Sequence, residues 1–243
     1  MIKLVVSDLD GTLLPYGQIR VSETVENYIE RIIEGGAVFA VSSGRTYSEL
    51  ASILSKFKDK IYFICSDGAY YIKGGKALYE RSISVSDLAL FKTEDGRSYV
   101  FHGANKNYSL GNTPDAANAF NAEKISRIGE IKEKIFKVTS FGGAVSLPAY
   151  CGLRMHWDGG ANQSAQYVNR FCDKGAALSD LQMRLMLTKF DTACMGDSGN
   201  DIAMMHNAKH SICIGARSAE LASVCTGRAD KVEDALLKII DLI

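Results

Sequence analysis

Residues 1–12 read MIKLVVSDLDGT, a short apolar run that ends in two aspartates followed directly by Gly-Thr. The run at 2–7 predicts a buried strand. Residues i and i+2 of a strand point to the same side, so Asp8 and Asp10 should face the same way at its carboxyl end. Two carboxylates held that close repel each other unless a cation or a proton relieves them. The stretch therefore indicates a metal site and a nucleophile together.

The pattern around this stretch predicts an α/β fold. Apolar strands at 2–7, 37–41 and 61–65 alternate with two helices, the first capped by Ser22. Such alternation predicts a parallel sheet that helices cover on both faces. A Gly-Gly hairpin is predicted next, at 69–80. The alternation of helices and strands returns late in the chain, with helices predicted at 175–188, 200–206 and 232–240 and strands at 192–195 and 211–214.

The middle of the chain has a different pattern of predicted helices and strands. We predict a helix capped by Ser86 that stops near Gly96, and a second helix from Thr113-Pro114 to Gly129. The strand predictions here are 98–102, 135–141, 144–147, 152–157 and 165–171. This mixture predicts an α+β unit with an antiparallel sheet. The expected organisation is a core domain at 1–81 and 173–243, interrupted by an inserted domain at 82–172.

The composition of the chain indicates which kinds of binding partner to expect. The 243 residues carry 28 Lys+Arg and 28 Asp+Glu, so the net charge is zero. Without a basic surplus we expect no nucleic-acid or membrane partner, and the apolar runs are too short to span a bilayer. The six cysteines form no Cys-x-x-Cys pair, which fits buried free thiols and a cytoplasmic location. The oligomeric state stays open.

Polar clusters follow three predicted core strands, at 8–10, 42–45 and 196–201. Ligands of open α/β sheets bind outside the carboxyl ends of the strands, so these clusters can converge. Lys174 is predicted at the start of a helix, where a cation is unfavourable with the helix dipole. We therefore expect nearby anions to hold it.

Four motifs in this order resemble those of the haloacid dehalogenase (HAD) superfamily. They are Asp-x-Asp-Gly-Thr at 8–12, Ser-Gly-Arg at 43–45, Lys-Gly at 174–175 and Gly-Asp-x-x-Asn-Asp at 196–201. Their order and spacing are similar to those of the Cof-type phosphatases, which carry a large C2-type cap. The resemblance implies a Rossmann-like parallel-sheet core with an inserted α+β cap. It also implies a Mg²⁺-dependent phosphatase that hydrolyses a small phosphate ester, with a sugar phosphate favoured, through an aspartyl-phosphate.

The resemblance also assigns roles. Asp8 would be the nucleophile, and Asp10 would protonate the leaving oxygen and then activate water. Lys174 would neutralise the phosphoryl group and the nucleophile together. The implied Mg²⁺ ligands are Asp8, the backbone carbonyl of Asp10, and Asp197, with Asp201 as a ligand or a supporting partner. The implied phosphate contacts are the Ser43 hydroxyl, the amides of Leu9 and Gly44, and the Asn200 side chain.

One position departs from the family pattern. Cof-type proteins usually carry Asn-Gly after the third strand, and this chain has Asp67-Gly68. An ionised aspartate cannot donate a hydrogen bond, so Asp67 could instead contact a sugar hydroxyl or pair with Arg45. In the inserted domain, Arg154 and His156 are candidates for substrate contact.

Several alternatives accompany these predictions. Arg154 and His156 would share one face of a strand and Met155 and Trp157 the other, and one set can simply be core. Ser43 could cap the following helix, and Arg45 could be structural. His206 and His210 have a metal-ligand spacing without an evident third ligand. For function, the rivals are a phosphotransferase or phosphomutase with the same nucleophile, and a non-catalytic phosphosugar-binding protein.

Overall fold

The computed structural model describes residues 1–93, 96–112, 120–158, 163–215 and 218–243. The described chain divides into two compact units, Met1–Tyr79 with Asp173–Ile243, and Glu80–Cys172. The first unit is the core and the second is the inserted unit.

An eight-stranded sheet forms the centre of the core, in the order β14-β13-β12-β1-β2-β3-β4-β5. From β14 to β3 the neighbouring strands run parallel, and β4 returns antiparallel beside β3. Its strands are β1 (Leu4–Asp8), β2 (Val38–Ser42), β3 (Tyr62–Cys65), β4 (Tyr70–Lys73), β5 (Lys76–Glu80), β12 (Thr192–Gly196), β13 (His210–Ile214) and β14 (Gly227–Ala229). The predicted Rossmann-like core is thereby confirmed.

Helices cover both faces of this sheet. Leu4 and Val6 point to one face and join a buried cluster with Leu178 and Met204, which belong to helices packed on that face. Two amphipathic helices with buried stripes of Val, Ile and Leu contact each other on the opposite face, and these are α1 and α7. The core helices are α1 (Glu23–Glu34), α2 (Tyr47–Ile53), α4 (Lys174–Arg184), α5 (Ile202–Met205), α6 (Ala219–Val224) and α7 (Val232–Ile240).

The inserted unit is built on a six-stranded sheet in the order β10-β11-β9-β6-β7-β8. All its neighbouring strands are antiparallel except β7 and β8, which pair in parallel. Its elements are α3 (Val85–Leu88), β6 (Ser98–Gly103), β7 (Asn107–Leu110), β8 (Glu123–Ile125), β9 (Ile135–Phe141), β10 (Leu153–Asp158) and β11 (Ser164–Asn169). An apolar core that includes Phe91, Phe101 and Tyr167 packs against this sheet.

Three predictions for the inserted unit are wrong. Residues 120–129 hold β8 rather than the end of a helix, and the predicted helix start at 113–119 lies outside the described residues. The helix predicted to be capped by Ser86 and to stop near Gly96 is the four-residue α3, which ends at Leu88, and Ser84 caps it because its hydroxyl accepts a hydrogen bond from Asp87 N. Residues 144–147 form no strand.

Two further observations bear on the class of protein. All six cysteines are free thiols, and all but Cys225 are buried. In the part of the chain that the structure describes, no helix has the length and the apolar character that a membrane crossing requires.

Candidate active site

Parallel strands bring the polar clusters of the sequence to one edge of the core sheet. Asp8, the last residue of β1, pairs in register with Ser42 of β2, and Ser7 pairs with Met195 of β12. The residues that follow β2 and β12 are Ser43 and Asp197, so they leave the sheet beside Asp8. This edge holds the carboxyl ends of the strands, where α/β sheets bind their ligands.

Lys174 lies between two buried carboxylates at this edge. Its Nζ donates to Asp8 Oδ1 at 2.6 Å and to Asp201 Oδ1 at 2.7 Å. Burial by itself lowers the pKa of Lys174, but the carboxylates of Asp201 and Asp8 raise it above the ordinary value overall. Lys174 therefore stays a cation, and these anions offset its unfavourable place at the start of a helix.

The glycine after Lys174 explains how the lysine reaches the site. Asp173 caps α4 by accepting a hydrogen bond from Ala176 N at 2.7 Å. A Cβ at Gly175 would lie 2.4 Å from the carbonyl oxygen of Ala203, close to the start of α5. Any side chain would thus push α4 away from α5 and withdraw Lys174 from the two carboxylates.

The second oxygen of Asp8 has no donor of its own. Asp8 Oδ2 is buried and accepts no hydrogen bond from the described residues. Burial raises the pKa of Asp8 to about 8, with Lys174 opposing this rise and Asp201 and Asp197 adding to it. A buried carboxylate oxygen in this state is costly unless a cation or a proton compensates it.

Asp8 belongs to a cluster of three buried carboxylates that fits a divalent cation. Asp8, Asp197 and Asp201 each offer one oxygen, and these atoms lie within 4.8 Å of one another. Oxygen ligands are those that Mg²⁺ prefers. Within the described ranges, the clusters of potential metal ligands include neither His206 nor His210.

Asp201 fits a supporting position better than a ligand position. Its Oδ1 accepts from Lys174, and its Oδ2 accepts from the amides of Asp197 and Ser198, both at 3.2 Å. These bonds occupy both oxygens with donors and hold the turn that carries Asp197. Of the two alternatives left open by the sequence, we therefore favour the supporting partner.

Asp10 lies in a different environment from Asp8. It is partly exposed, and the Arg45 guanidinium binds it through two hydrogen bonds, Nε to Oδ2 at 2.8 Å and Nη2 to Oδ1 at 2.7 Å. The hydrogen bond to Asp10 raises the pKa of Arg45. Such a two-point contact fixes both the position and the orientation of a carboxylate. Arg45 thus lies at the site and holds Asp10, while the sequence had left a structural role for it open.

Ser43 and Leu9 lie on the turns at this edge. The Ser43 hydroxyl is buried, accepts from Arg45 N at 3.2 Å and lies 3.4 Å from Asp10 Oδ2. The N-cap of α2 is Thr46, so the alternative in which Ser43 caps that helix is wrong. Leu9 is fully buried, with its carbonyl oxygen accepting from two amides of the following turn. Phosphate binding by Ser43 and by the amides of Leu9 and Gly44 stays a prediction.

Asp67 supports the turn that follows β2. It is buried with a φ of +56°, and its amide donates to the Ser43 carbonyl oxygen at 3.0 Å. Its Oδ1 accepts from Asn200 Nδ2 at 3.1 Å, and its Oδ2 would lie 3.0 Å from a Cβ at Gly44. Asp67 therefore joins the Ser43–Gly44 turn to Asn200, while a contact of either side chain with substrate stays a prediction.

Two residues predicted to contact substrate, Arg154 and His156, lie in the inserted unit. Arg154 donates through Nε and Nη2 to the carbonyl oxygen of Cys172, which gives its guanidinium a structural contact. The register of β10 shifts between Met155 and Trp157, which interrupts the regular pairing of this strand with β11 at His156. His156 lies within this irregularity and is half-buried. Substrate contact by Arg154 or His156 stays a prediction.

Tyr16 is a site residue that sequence reasoning missed. Its hydroxyl donates to Asp197 Oδ2 at 3.0 Å across a separation of 181 residues. The only signal in the sequence is its place four residues after the Asp-x-Asp-Gly-Thr motif.

Comparisons with known proteins find similarity to phosphatases. The chain is 24% identical over 263 residues to a 5-amino-6-(5-phospho-D-ribitylamino)uracil phosphatase of Escherichia coli K12, covering all of this chain and 96% of that relative. An HMP-PP phosphatase of Cronobacter sakazakii is 25% identical over 239 residues, or 91% of this chain and 87% of the relative.

A solved structure shares the fold. A phosphatase of the haloalkanoate (HAD) superfamily from Bacteroides thetaiotaomicron superposes with a TM-score of 0.84 at 20% identity, covering all of this chain and 96% of the other.

The family comparison covers nearly the whole chain. A model described as haloacid dehalogenase-like hydrolase matches residues 5–240, a span that includes the core and the inserted unit. This match confirms the predicted family, and the names of the matched relatives agree with the predicted class of enzyme, a phosphatase. The chain therefore belongs to the haloacid dehalogenase-like hydrolases.

Proposed function

We propose that the protein is a Mg²⁺-dependent phosphatase that hydrolyses a small phosphate ester through an aspartyl-phosphate on Asp8. The observation that carries the proposal is the contrast between the two aspartates of the Asp-x-Asp motif. Asp8 is buried against Lys174, and its second oxygen accepts no hydrogen bond from any described residue, whereas Asp10 is partly exposed and fixed by Arg45. Lys174 beside Asp8 favours the ionised carboxylate that a nucleophile needs, and Arg45 fixes the position and orientation of Asp10 for proton transfer.

The first half of the reaction follows from these positions. An Asp8 oxygen attacks phosphorus, and the bond between phosphorus and the leaving oxygen breaks. Asp10 donates its proton to that oxygen, so the alcohol leaves neutral. Lys174, 2.6 Å from Asp8 Oδ1, offsets negative charge on the nucleophile and on the phosphoryl group.

The second half regenerates the enzyme. Asp10, now ionised, takes a proton from water, and the water oxygen attacks the phosphorus of the aspartyl-phosphate. The bond between phosphorus and the Asp8 oxygen breaks, which releases inorganic phosphate and the free Asp8 carboxylate. Arg45 holds Asp10 in one orientation through two hydrogen bonds, so the same carboxyl group can serve both proton transfers.

The residues that would hold Mg²⁺ are Asp8, Asp197 and the backbone carbonyl of Asp10, with Asp201 as support. When bound, the ion would supply charge neutralisation for the carboxylates and for the phosphate oxygens. Asp8 Oδ2 and the three-carboxylate cluster support this assignment.

For substrate we propose a phosphorylated sugar or polyol. The support comes from the family resemblance and from the relative in Escherichia coli, whose name specifies a substrate with a phosphorylated D-ribityl chain. We also propose that the inserted unit supplies the substrate-specific contacts, with Arg154 and His156 as candidates.

The decisive experiment compares the wild-type chain with Asp8→Asn. Purified full-length protein is assayed against sugar and polyol phosphates, with Mg²⁺ and with EDTA. We expect Asp8→Asn to lose turnover by roughly a thousandfold or more while substrate still binds, because the amide keeps the shape but cannot attack. Retained phosphatase activity in this variant would contradict the mechanism.

Labelled water separates hydrolysis from its rivals. In ¹⁸O-water a phosphatase places one labelled oxygen in each phosphate released. A phosphotransferase or phosphomutase passes the phosphoryl group to a second hydroxyl and leaves phosphate unlabelled. A non-catalytic binding protein shows substrate binding without any product.

A further inference from the structure

Tyr16 contacts the carboxylate cluster from outside. The residue is 54% exposed, whereas Asp197 is 1% exposed, so only the hydroxyl end of the tyrosine enters the site. There Tyr16 Oη donates to Asp197 Oδ2 at 3.0 Å. A single donor from a surface loop thus reaches a buried carboxylate of the proposed cation site.

The turn that precedes Tyr16 allows this contact. Residues 9–14 form a tight turn, in which the Leu9 carbonyl oxygen accepts from Thr12 N and Leu14 N, and Gly11 N donates to Leu14 O. Gly11 has a φ of +88°, and a Cβ there would lie 2.2 Å from Asp197 Oδ2 and 2.3 Å from Tyr16 Cε2. Glycine is therefore needed for both the backbone and the close approach of the two side chains.

The hydrogen bond constrains the Asp197 carboxylate. With Oδ2 held by Tyr16, rotation of the carboxylate plane is restricted, and its orientation toward Asp8 and Asp201 is fixed. Partners of this kind orient metal ligands, and their removal typically costs about 10–100-fold in metal affinity. The tyrosine also stabilises a negative charge that lies close to two others.

We propose that Tyr16 is a positioning residue that orients Asp197 for the divalent cation. This inference rests on the proposed Mg²⁺ dependence, but it concerns cation affinity rather than the chemical steps. Tyr16→Phe removes one oxygen and keeps the ring that packs against Gly11.

The test measures Mg²⁺ binding directly by isothermal titration calorimetry on the full chain. We expect Tyr16→Phe to bind Mg²⁺ about tenfold more weakly than wild type. Tyr150→Phe, at a tyrosine that is 89% exposed in the inserted unit, is the matched control and should bind as wild type does. Circular dichroism on all three proteins checks that the fold is intact.

A kinetic readout distinguishes positioning from general damage. If Tyr16 acts through Asp197, raising Mg²⁺ about tenfold should restore kcat in Tyr16→Phe, whereas a distorted site would stay impaired at saturating Mg²⁺. Unchanged Mg²⁺ affinity in Tyr16→Phe overturns the proposal. Tighter Mg²⁺ binding in this variant overturns it too, because the hydroxyl would then compete with the cation in the wild type. Failure of wild type to bind Mg²⁺ overturns it as well.

The two proposals fail in different ways. A Tyr16→Phe protein with normal Mg²⁺ affinity in an active phosphatase removes the role of Tyr16 alone. If Mg²⁺ affinity falls in Tyr16→Phe but the wild type hydrolyses no phosphate ester, the proposed function is removed and the positioning role remains.

Discussion

Lys174→Met tests how strongly the site depends on its buried ammonium. The substitution keeps an unbranched side chain but leaves Asp8 and Asp201 facing each other without the cation that each contacts at 2.6–2.7 Å. At an effective dielectric constant near 20, one such pair attracts by about 6 kcal/mol. Burial of the ammonium itself costs several kcal/mol in return, so the expected net loss of stability is about 3–5 kcal/mol.

The assay is thermal unfolding without Mg²⁺ at pH 8, monitored by circular dichroism. For a chain of this length the expected loss lowers Tm by roughly 6–20 °C. At pH 5 the loss should be smaller, because burial raises the pKa of Asp8 to about 8, so at pH 5 its carboxyl is protonated and attracts the ammonium only weakly. Added Mg²⁺ should recover part of the stability, since it would bind the same carboxylates.

The double variant Lys174→Met, Asp201→Asn is the matched control. It removes one of the two repelling charges and should be more stable than the single variant by at least 1 kcal/mol. A loss below 1 kcal/mol in Lys174→Met, or a double variant no more stable than the single one, would refute the electrostatic reasoning. In that case packing, rather than charge, would hold Lys174 in place.

Three further predictions concern the same edge of the sheet. Mg²⁺ affinity should rise with pH from 6 to about 8 and then level off, as measured by calorimetry, because burial raises the pKa of Asp8 to about 8 and the protonated carboxyl does not bind the cation. Arg45→Ala should lower kcat by about 10–100-fold with little change in competitive inhibition by phosphate, because Asp10 loses the two hydrogen bonds that orient it. Asp67→Asn keeps an acceptor for Asn200 but removes a buried negative charge, so phosphate should inhibit severalfold more tightly, as seen in product-inhibition kinetics.

The core was predictable because its signals are local. Each of β1, β2 and β12 is a short apolar run that ends at a polar cluster, and the amphipathic pattern at 232–240 matches α7. Parallel pairing then brings the three strand ends together without any further information. In these elements the local residue preferences and the burial pattern favour the same secondary structure. Each segment could therefore be predicted by itself.

The inserted unit was harder because its strands depend on distant partners. Residues 123–125 form a three-residue strand that pairs in parallel with β7, and so short a segment has no periodicity to read. The sequence after Thr113-Pro114 favours a helix by local preference, yet tertiary pairing determines the structure at 123–125. The register shift in β10 likewise depends on pairing with β11 rather than on a local pattern in the sequence.

The site shows the same division between local and distant signals. Motif order identified Asp8, Lys174 and Asp197, because each lies at a strand end or at a helix start. Arg45 and Tyr16 were not assigned their roles, since each acts through one side-chain contact with a residue 35 or 181 positions away. Contacts of this length follow from how turns pack on each other and leave no pattern along the chain.

The charges at the site impose an order on binding. Asp8, Asp197 and Asp201 are buried together, and the Lys174 ammonium is already shared between two of them. Among the described residues, Arg45 is a second cation at this edge, and it is already paired with Asp10. A phosphate ester brings further negative charge to a cluster that is negative overall, so Coulomb repulsion opposes its entry. Phosphate binding by this chain should therefore be weak until the carboxylates are neutralised by a divalent cation. A substrate analogue should then bind tightly with Mg²⁺ and only weakly with EDTA.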